Sequence, residues 1–271
     1  MRYRKGTIAL DDLRDCPLLR FVLHCRFVTP DQLYAFMRLE HRTTSRNEFG
    51  NRVRRLVEHE FLVRRVIPTM NRGVVYSLAP AGESEMLGRG EFYAGTAEKG
   101  AASNGHVQHA LELNDIHLAL KQSGMLVRWT PESDIRSRNE FTGIGYAKDY
   151  DALVAVHMEG AEYRFALEYE RTPKSKKRYE AIASRIEEED GALQFLYLVP
   201  NHDLQAFLVA NFGNCSRAMY FGLRHDFLRD TLGLSVQNNR TPISTSFRAV
   251  LIRAARKEGS PRNTAAQTPL F

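Results

Sequence analysis

The sequence predicts a two-part α/β protein: an N-terminal helical module closed by a short hairpin, then a mixed sheet flanked by helices. Three observations carry this. Apolar residues recur at helical spacing across residues 10–59. Two runs rich in β-branched and aromatic residues, DALVAV and YRFALEYERT, flank a connection containing Gly160 between Asp151 and Thr172, the pattern of a short-loop hairpin. Beyond them, QFLYLVP and RAMYFGL alternate with helical stretches, as in a sheet covered by helices.

At 271 residues the chain has room for one large domain or two ordinary ones. Its 43% hydrophobic and 26% charged residues exclude a disordered or fibrous chain. It has no run of 18 apolar residues to span a bilayer, and MRYRKGTIALDDLRD meets acids before any apolar core, unlike a secretory signal. Cys16, Cys25 and Cys215 are odd in number and lack CxxC spacing, so reduced, buried thiols in a cytoplasmic protein are expected. The net charge of +6 is unevenly placed. Residues 1–90 hold 16 basic against 10 acidic residues, residues 91–239 hold 16 against 21, and the stretch from Arg240 onward holds six against one. Polyanion binding is therefore expected at the ends of the chain.

In the first module, Leu13, Leu18, Leu19, Val22 and Leu23 mark a helix between Leu10 and Phe27, with a break expected at Pro17. Thr29, Pro30 and Gln32 then form an N-cap, a first-turn proline and a capping box. A second box at Ser45 and Glu48 opens a helix to about His59, with Phe49, Val53, Leu56 and Val57 on its apolar face. Its other face offers Arg46, Asn47, Asn51, Arg54 and Arg55. FLVRRVIP and GVVYSLAP read as two strands around TMNRG, with Arg64, Arg65 and Arg72 near the hairpin. Three helices and a basic hairpin are the layout of a winged helix-turn-helix, and RVRRLVEHEFLVRRV followed by VVYSLAPAG resembles the run from recognition helix into wing. Such a module places its third helix in the major groove and its wing on phosphates. The expected division is residues 1–88 as this DNA-binding module, a Gly/Ala/Ser-rich linker at 89–105, an α/β domain at 106–239 and a basic, partly disordered tail at 240–271.

Past the linker, HVQHALELNDIHLALKQSG reads as a helix and MLVRWTP as a strand, with Glu132 and Asp134 just past it. The polar stretch Arg136–Lys148, with Gly143 and Gly145, reads as an exposed loop. On the second strand of the central hairpin, side-chain alternation puts Ala166, Glu168 and Glu170 on one face and Leu167 and Tyr169 on the other. With Asp151 at the mouth of the first strand, three carboxylates are expected to converge at one sheet edge. Such a cluster needs cations, solvent or a metal ion. The order of elements, with an acid on one strand and Glu-x-Glu on the next, resembles the restriction-endonuclease-type nuclease core. That resemblance implies Asp151 and Glu168 as ligands of Mg2+ or Mn2+, with Glu170 standing where the core's lysine belongs. Lys174, Lys176 and Lys177 lie just beyond, with Lys174 the candidate substitute and Lys176 and Lys177 candidate phosphate contacts. The bland reading is a structural network in which Arg171 and these lysines pair with the acids.

A wider resemblance rests on His109 with Asn114, Trp129 with Glu132, Asp151 with Ala152, and Glu168 to Thr172 ahead of a basic helix. In that order, after a winged helix, these motifs resemble the replication-relaxation family of plasmid and mobile-element proteins, although Glu170 replaces the more usual Asp. The resemblance implies double-stranded DNA as partner and a role in plasmid replication, mobilisation or its transcriptional control, alongside replication or mobilisation proteins or as a homodimer. A nuclease-like domain that does not cut is expected, because Glu170 stands where the nuclease core has its lysine. The alternatives are a divalent-metal-dependent endonuclease or nickase using Asp151, Glu168, Glu170 and Lys174, and a dimeric transcription regulator with a sensing or dimerisation domain. No HExxH pairing and no GxxxxGK[ST] loop occurs, so zinc and ATP chemistry find no support.

Overall fold

The computed structural model describes residues 8–43, 45–67, 73–91, 103–142, 145–189, 193–241 and 244–257. The chain forms two compact units, Met1–Gly124 with Trp129–Leu153, and Met125–Arg128 with Val154–Phe271.

The first unit begins with helices α1 (Asp15–Cys25), α2 (Pro30–Leu39) and α3 (Arg46–Glu58). Pro17 does not break α1. It sits in the first turn, where its missing N–H would have had no intrahelical partner. Thr29 and Gln32 exchange both bonds of a capping box at the start of α2, at 3.1 and 3.2 Å, and the Ser45 hydroxyl accepts from the Glu48 N–H at α3. The three helices bury Leu18, Val22, Leu33, Phe36, Phe49 and Val53 against one another. Strands β1 (Leu62–Val66) and β2 (Val74–Leu78) pair antiparallel, with Arg65 opposite Val75 and Arg64 opposite Tyr76. Val28 adds a two-way backbone bridge to Tyr76, so the segment between α1 and α2 widens the hairpin. Helix α4 (Pro80–Gly88) then crosses so close to Phe61 that a Cβ at Gly82 would sit 2.3 Å from the Phe61 carbonyl oxygen.

Helix α5 (Asn104–Gln122) belongs to this same unit. Its Val107 and Leu111 pack with Phe27 and Val75. The Gln32 amide donates to the Leu111 carbonyl at 2.7 Å and to Asp115 at 2.6 Å, and the Asn114 amide donates to the Phe27 carbonyl at 2.8 Å. Residues 92–102, the heart of the expected linker, lie outside the described residues. So does Arg72.

A second sheet has seven strands: β3 (Leu126–Pro131), β4 (Ala152–Met158), β5 (Ala161–Tyr169), β6 (Gln194–Val199), β7 (Met219–Leu223), β8 (Ser235–Asn238) and β9 (Thr245–Ser246), in that spatial order. Strands β5, β6 and β7 run parallel, and β8 and β9 add antiparallel to β7 and β8. The connection from β4 to β5 is two residues long, Glu159 (φ 48°) and Gly160 (φ 79°). Positive φ at both is what a tight hairpin matched to strand twist requires. Helices α7 (Lys176–Glu187) and α8 (His202–Asn211) fill the two parallel crossovers, and α9 (Arg224–Arg229) lies between the antiparallel β7 and β8.

One further expectation is corrected. The first six residues of the polar stretch read as a loop, 136–141, end helix α6 (Glu132–Phe141); only Ser133 and Ile135 are buried in this helix, so it carries almost no apolar periodicity. The basic stretch from Arg240 onward holds regular structure within its described residues. Strand β9 leads into helix α10 (Phe247–Lys257), whose Phe247 is fully buried and meets Phe165 edge-on at 5.1 Å. Along strand β5 and just past it, Phe165 through Glu170 are all buried on both faces of the alternation, as in a strand paired on both sides and covered on both faces. No helix among the described residues is long and apolar enough to cross a membrane.

One buried charge ties α1 to α3. The fully buried Asp15 carboxylate pairs with Arg55, lies 3.6 Å from the Arg52 guanidinium and accepts from the Asp11 N–H at 3.0 Å. Asp15→Ala is expected to lower the unfolding free energy in urea by about 3 kcal/mol, because it strands two cations, one of them partly able to reach water. Gly82→Ala is expected to cost about 1–3 kcal/mol in the same measurement, since the opposing atom is backbone and cannot rotate away.

Candidate functional site

The third helix carries the densest set of candidates. Phe49, Val53 and Leu56 face the core, and Asn47, Asn51 and Arg54 form an exposed ridge at spacings of four and three. The other two candidates on α3 are already engaged. Arg46 pairs with Asp31 and lies 4.6 Å over the Tyr34 ring, and Arg55 holds Asp15. On the hairpin, Arg64 is exposed on the Tyr76 side. Arg65 lies on the opposite face with Val75, its guanidinium 5.9 Å from the Phe27 ring.

The carboxylates sit in two different settings. Asp151, in the first unit, meets the His109 Nε2 at 3.3 Å. Glu168 and Glu170, in the second, are buried at the end of β5, where Glu168 lies in register with Tyr197. The Lys174 ammonium reaches Glu170 at 2.5 Å, and the Lys174 N–H donates to the Tyr179 hydroxyl at 2.9 Å. Lys176 and Lys177 are exposed in the first turn of α7. Among the described residues no group of three or more His, Cys, Asp or Glu side chains is placed to hold a metal ion.

A cleft of about 600 Å³ lies in the first unit. One side of α5 faces it with His106, His109, Asn114 and His117, spaced three to five residues apart. His117 stacks on Trp129 with ring centroids 4.2 Å apart and planes 5° from parallel, and its other neighbour, Phe36, is 4.8 Å away. Burial holds the His117 imidazole well below its ordinary pKa, and Lys121 and His24 push it the same way, so it is neutral near pH 7. Across the cleft, Glu132 pairs with Arg136 and lies 3.7 Å from Arg26. Arg26 centres a γ-turn of positive φ (59°, ψ −52°), closed by the Phe27 N–H donating to the Cys25 carbonyl at 2.6 Å. Backbone held this way costs roughly 1–3 kcal/mol and persists only where its surroundings enforce it. The hairpin adds Arg65 and Ser77 from one face, since Ser77 pairs with Val63, two residues before Arg65.

The sequence reading passed over Arg26, Ser77, His117 and Arg136, because neither spacing nor composition links residues that four separate elements bring together.

Burial pushes the Tyr179 phenol up to about 12, and the nearby Glu170 carboxylate adds to the rise. A group whose folded pKa lies above its unfolded value stabilises the fold fully below the unfolded value and loses that contribution as pH rises through the folded one. Stability is therefore expected to fall between pH ~10 and ~12, and Tyr179→Phe should remove this part of the decline in denaturation curves collected across that range.

Five residues of the motifs described above, His109, Asn114, Trp129, Glu132 and Asp151, line this one cleft. No curated protein and no solved structure matches the chain. The family model described as Replication-relaxation matches residues 19–188, a span that runs from α1 through α7 and takes in the cleft and the acids of β5. That span is well over half of the sequence, and the chain belongs to the Replication-relaxation family.

Proposed function

We propose that this protein binds duplex DNA in the replication, mobilisation or transcriptional control of a plasmid or mobile element. In this reading α1 to α3 with the β1–β2 hairpin act as a winged helix-turn-helix. The Asn47–Asn51–Arg54 ridge reads the major groove, and Arg64 contacts phosphate. The observation that carries the reading is the division of α3 into a wholly buried side and a polar ridge that no partner helix covers. The basic surplus of the first ninety residues supports it. Family membership supports the biological setting. A second copy of the chain and other replication or mobilisation proteins are the partners this setting calls for.

The β3–β7 sheet with its helices is, in the same reading, a restriction-endonuclease-like core that does not cut DNA. Two acids of the expected metal site have cationic or imidazole neighbours of their own, Asp151 at His109 and Glu170 at Lys174. The Lys174 contact also favours a second reading. A lysine amine beside the β5 acids is the part a divalent-metal nickase needs, supplied from the start of a helix instead of the strand.

Two experiments separate these readings. Against a duplex selected from a random pool, the double variant Asn51→Ala/Arg54→Ala is expected to lose about tenfold to hundredfold in affinity at matched salt with an unchanged melting temperature. Arg64→Ala should flatten the dependence of log K on log salt by about one unit. Unchanged affinity in the double variant overturns the assignment of α3. On supercoiled plasmid with Mg2+ or Mn2+, wild-type protein is expected to leave the substrate intact; nicking that disappears in Glu168→Gln would replace the non-cutting reading with the nickase.

A further inference from the structure

We propose that the cleft of the first unit binds a single nucleotide, either free or as an exposed nucleotide of single-stranded DNA, with the base against Trp129 and the phosphate toward Arg65 and Ser77. This site is separate from the α3 ridge and does not depend on duplex binding.

Four observations lead to it. First, a volume of about 600 Å³ is within the range of small-molecule sites and holds one nucleotide comfortably. Second, the Ser77 hydroxyl is a ligand-seeking group in the free protein. Ser77 is 7% exposed and lines the cleft, and its oxygen has no hydrogen-bond partner. A buried hydroxyl left this way costs about 1–3 kcal/mol, and a phosphate oxygen would satisfy it. Third, the cations of the cleft are not all neutralised. Arg26 and Arg136 are matched by Glu132 and Asp149, whereas Arg65 has an aromatic neighbour and no carboxylate partner among the described residues. Arg65 and Ser77 project from the same face of the hairpin, so one anion can meet both. Fourth, the Trp129 ring is held flat by its stack on His117, which is wedged in turn against Phe36. A flat, immobile, half-buried indole is a platform for a base.

The same lining argues against other ligands. No group of three metal-ligating side chains is found among the described residues, and an apolar ligand would strand the arginines and carboxylates of both walls. What remains is a ligand both anionic and planar. The strained γ-turn at Arg26 fits a wall that is pre-organised at the expense of local stability.

Trp129 is the only tryptophan of the chain, so its emission reports on this cleft alone. The full-length protein would be titrated with dAMP, dTMP, an oligothymidylate and inorganic phosphate while that emission is followed. Saturable change with the mononucleotides assigns a free nucleotide; saturation with the oligothymidylate alone assigns a single-stranded end. Either result supports the site, provided inorganic phosphate is far weaker. Ser77→Ala is expected to weaken binding roughly fivefold while leaving the melting temperature equal or higher, because it removes an unsatisfied group from the free protein. Arg65→Ala is expected to weaken binding about tenfold or more, and Asn51→Ala/Arg54→Ala to leave it unchanged, which keeps this site distinguishable from the duplex reading. The absence of saturable change with every nucleotide probe, or wild-type affinity in both Ser77→Ala and Arg65→Ala, would overturn the proposal.

Discussion

Two side-chain amides hold the first unit together beside its cleft. Gln32 completes the capping box of α2 with its oxygen and uses its nitrogen on α5, at the Leu111 carbonyl and Asp115. Asn114 returns the contact by donating to the Phe27 carbonyl. Buried amides with their partners in place are directional in a way that apolar contacts are not. They set the rotation of α5, and that rotation turns His106, His109 and His117 toward one cleft while Val107 and Leu111 pack on Phe27 and Val75. A rotation of α5 by one residue, about 100°, would carry His106 to the position where Val107 packs.

The arginines of α3 and its surroundings divide into two roles that composition does not distinguish. Arg55 is spent on a fully buried carboxylate, Arg52 stands half-buried beside it, and Arg46 lies across Tyr34 and Asp31. Only Arg54, with the two asparagines, remains on an open ridge of the helix. The basic surplus of the N-terminal region is therefore smaller at the proposed DNA face than the raw count suggests. Part of it offsets the cost of carrying Asp15 into the core.

The acids of β5 show the same division. A strand with neighbours on both edges and cover on both faces has no solvent side, so Glu168 and Glu170 are buried together with the apolar residues between them. Lys174 reaches back to Glu170 from just before α7, and the Tyr179 hydroxyl accepts the Lys174 N–H, so the turn between strand and helix is held from both ends.

Local chemistry determined much of this protein in the sequence itself. The capping signals at Thr29 and Ser45, the apolar periods of α1, α3 and α5, the Glu159–Gly160 hairpin and the buried run of β6 depend on neighbours within a few residues, and each occurs where the pattern places it. The family resemblance was legible for the same reason, since it rests on short motifs in a set order. Helix α6 was not legible, because its few inward residues make no stripe; nor was α10, whose Phe247 anchors to Phe165, distant in sequence but adjacent in the sheet. The tertiary structure alone decided which charges are free and which residues share a cleft. Partner choice for a long side chain is settled by what folding brings within about 4 Å of its tip, and residues as far apart as Arg26, Ser77, His109, Glu132 and Asp151 meet only when α1, the hairpin, α5 and α6 have packed.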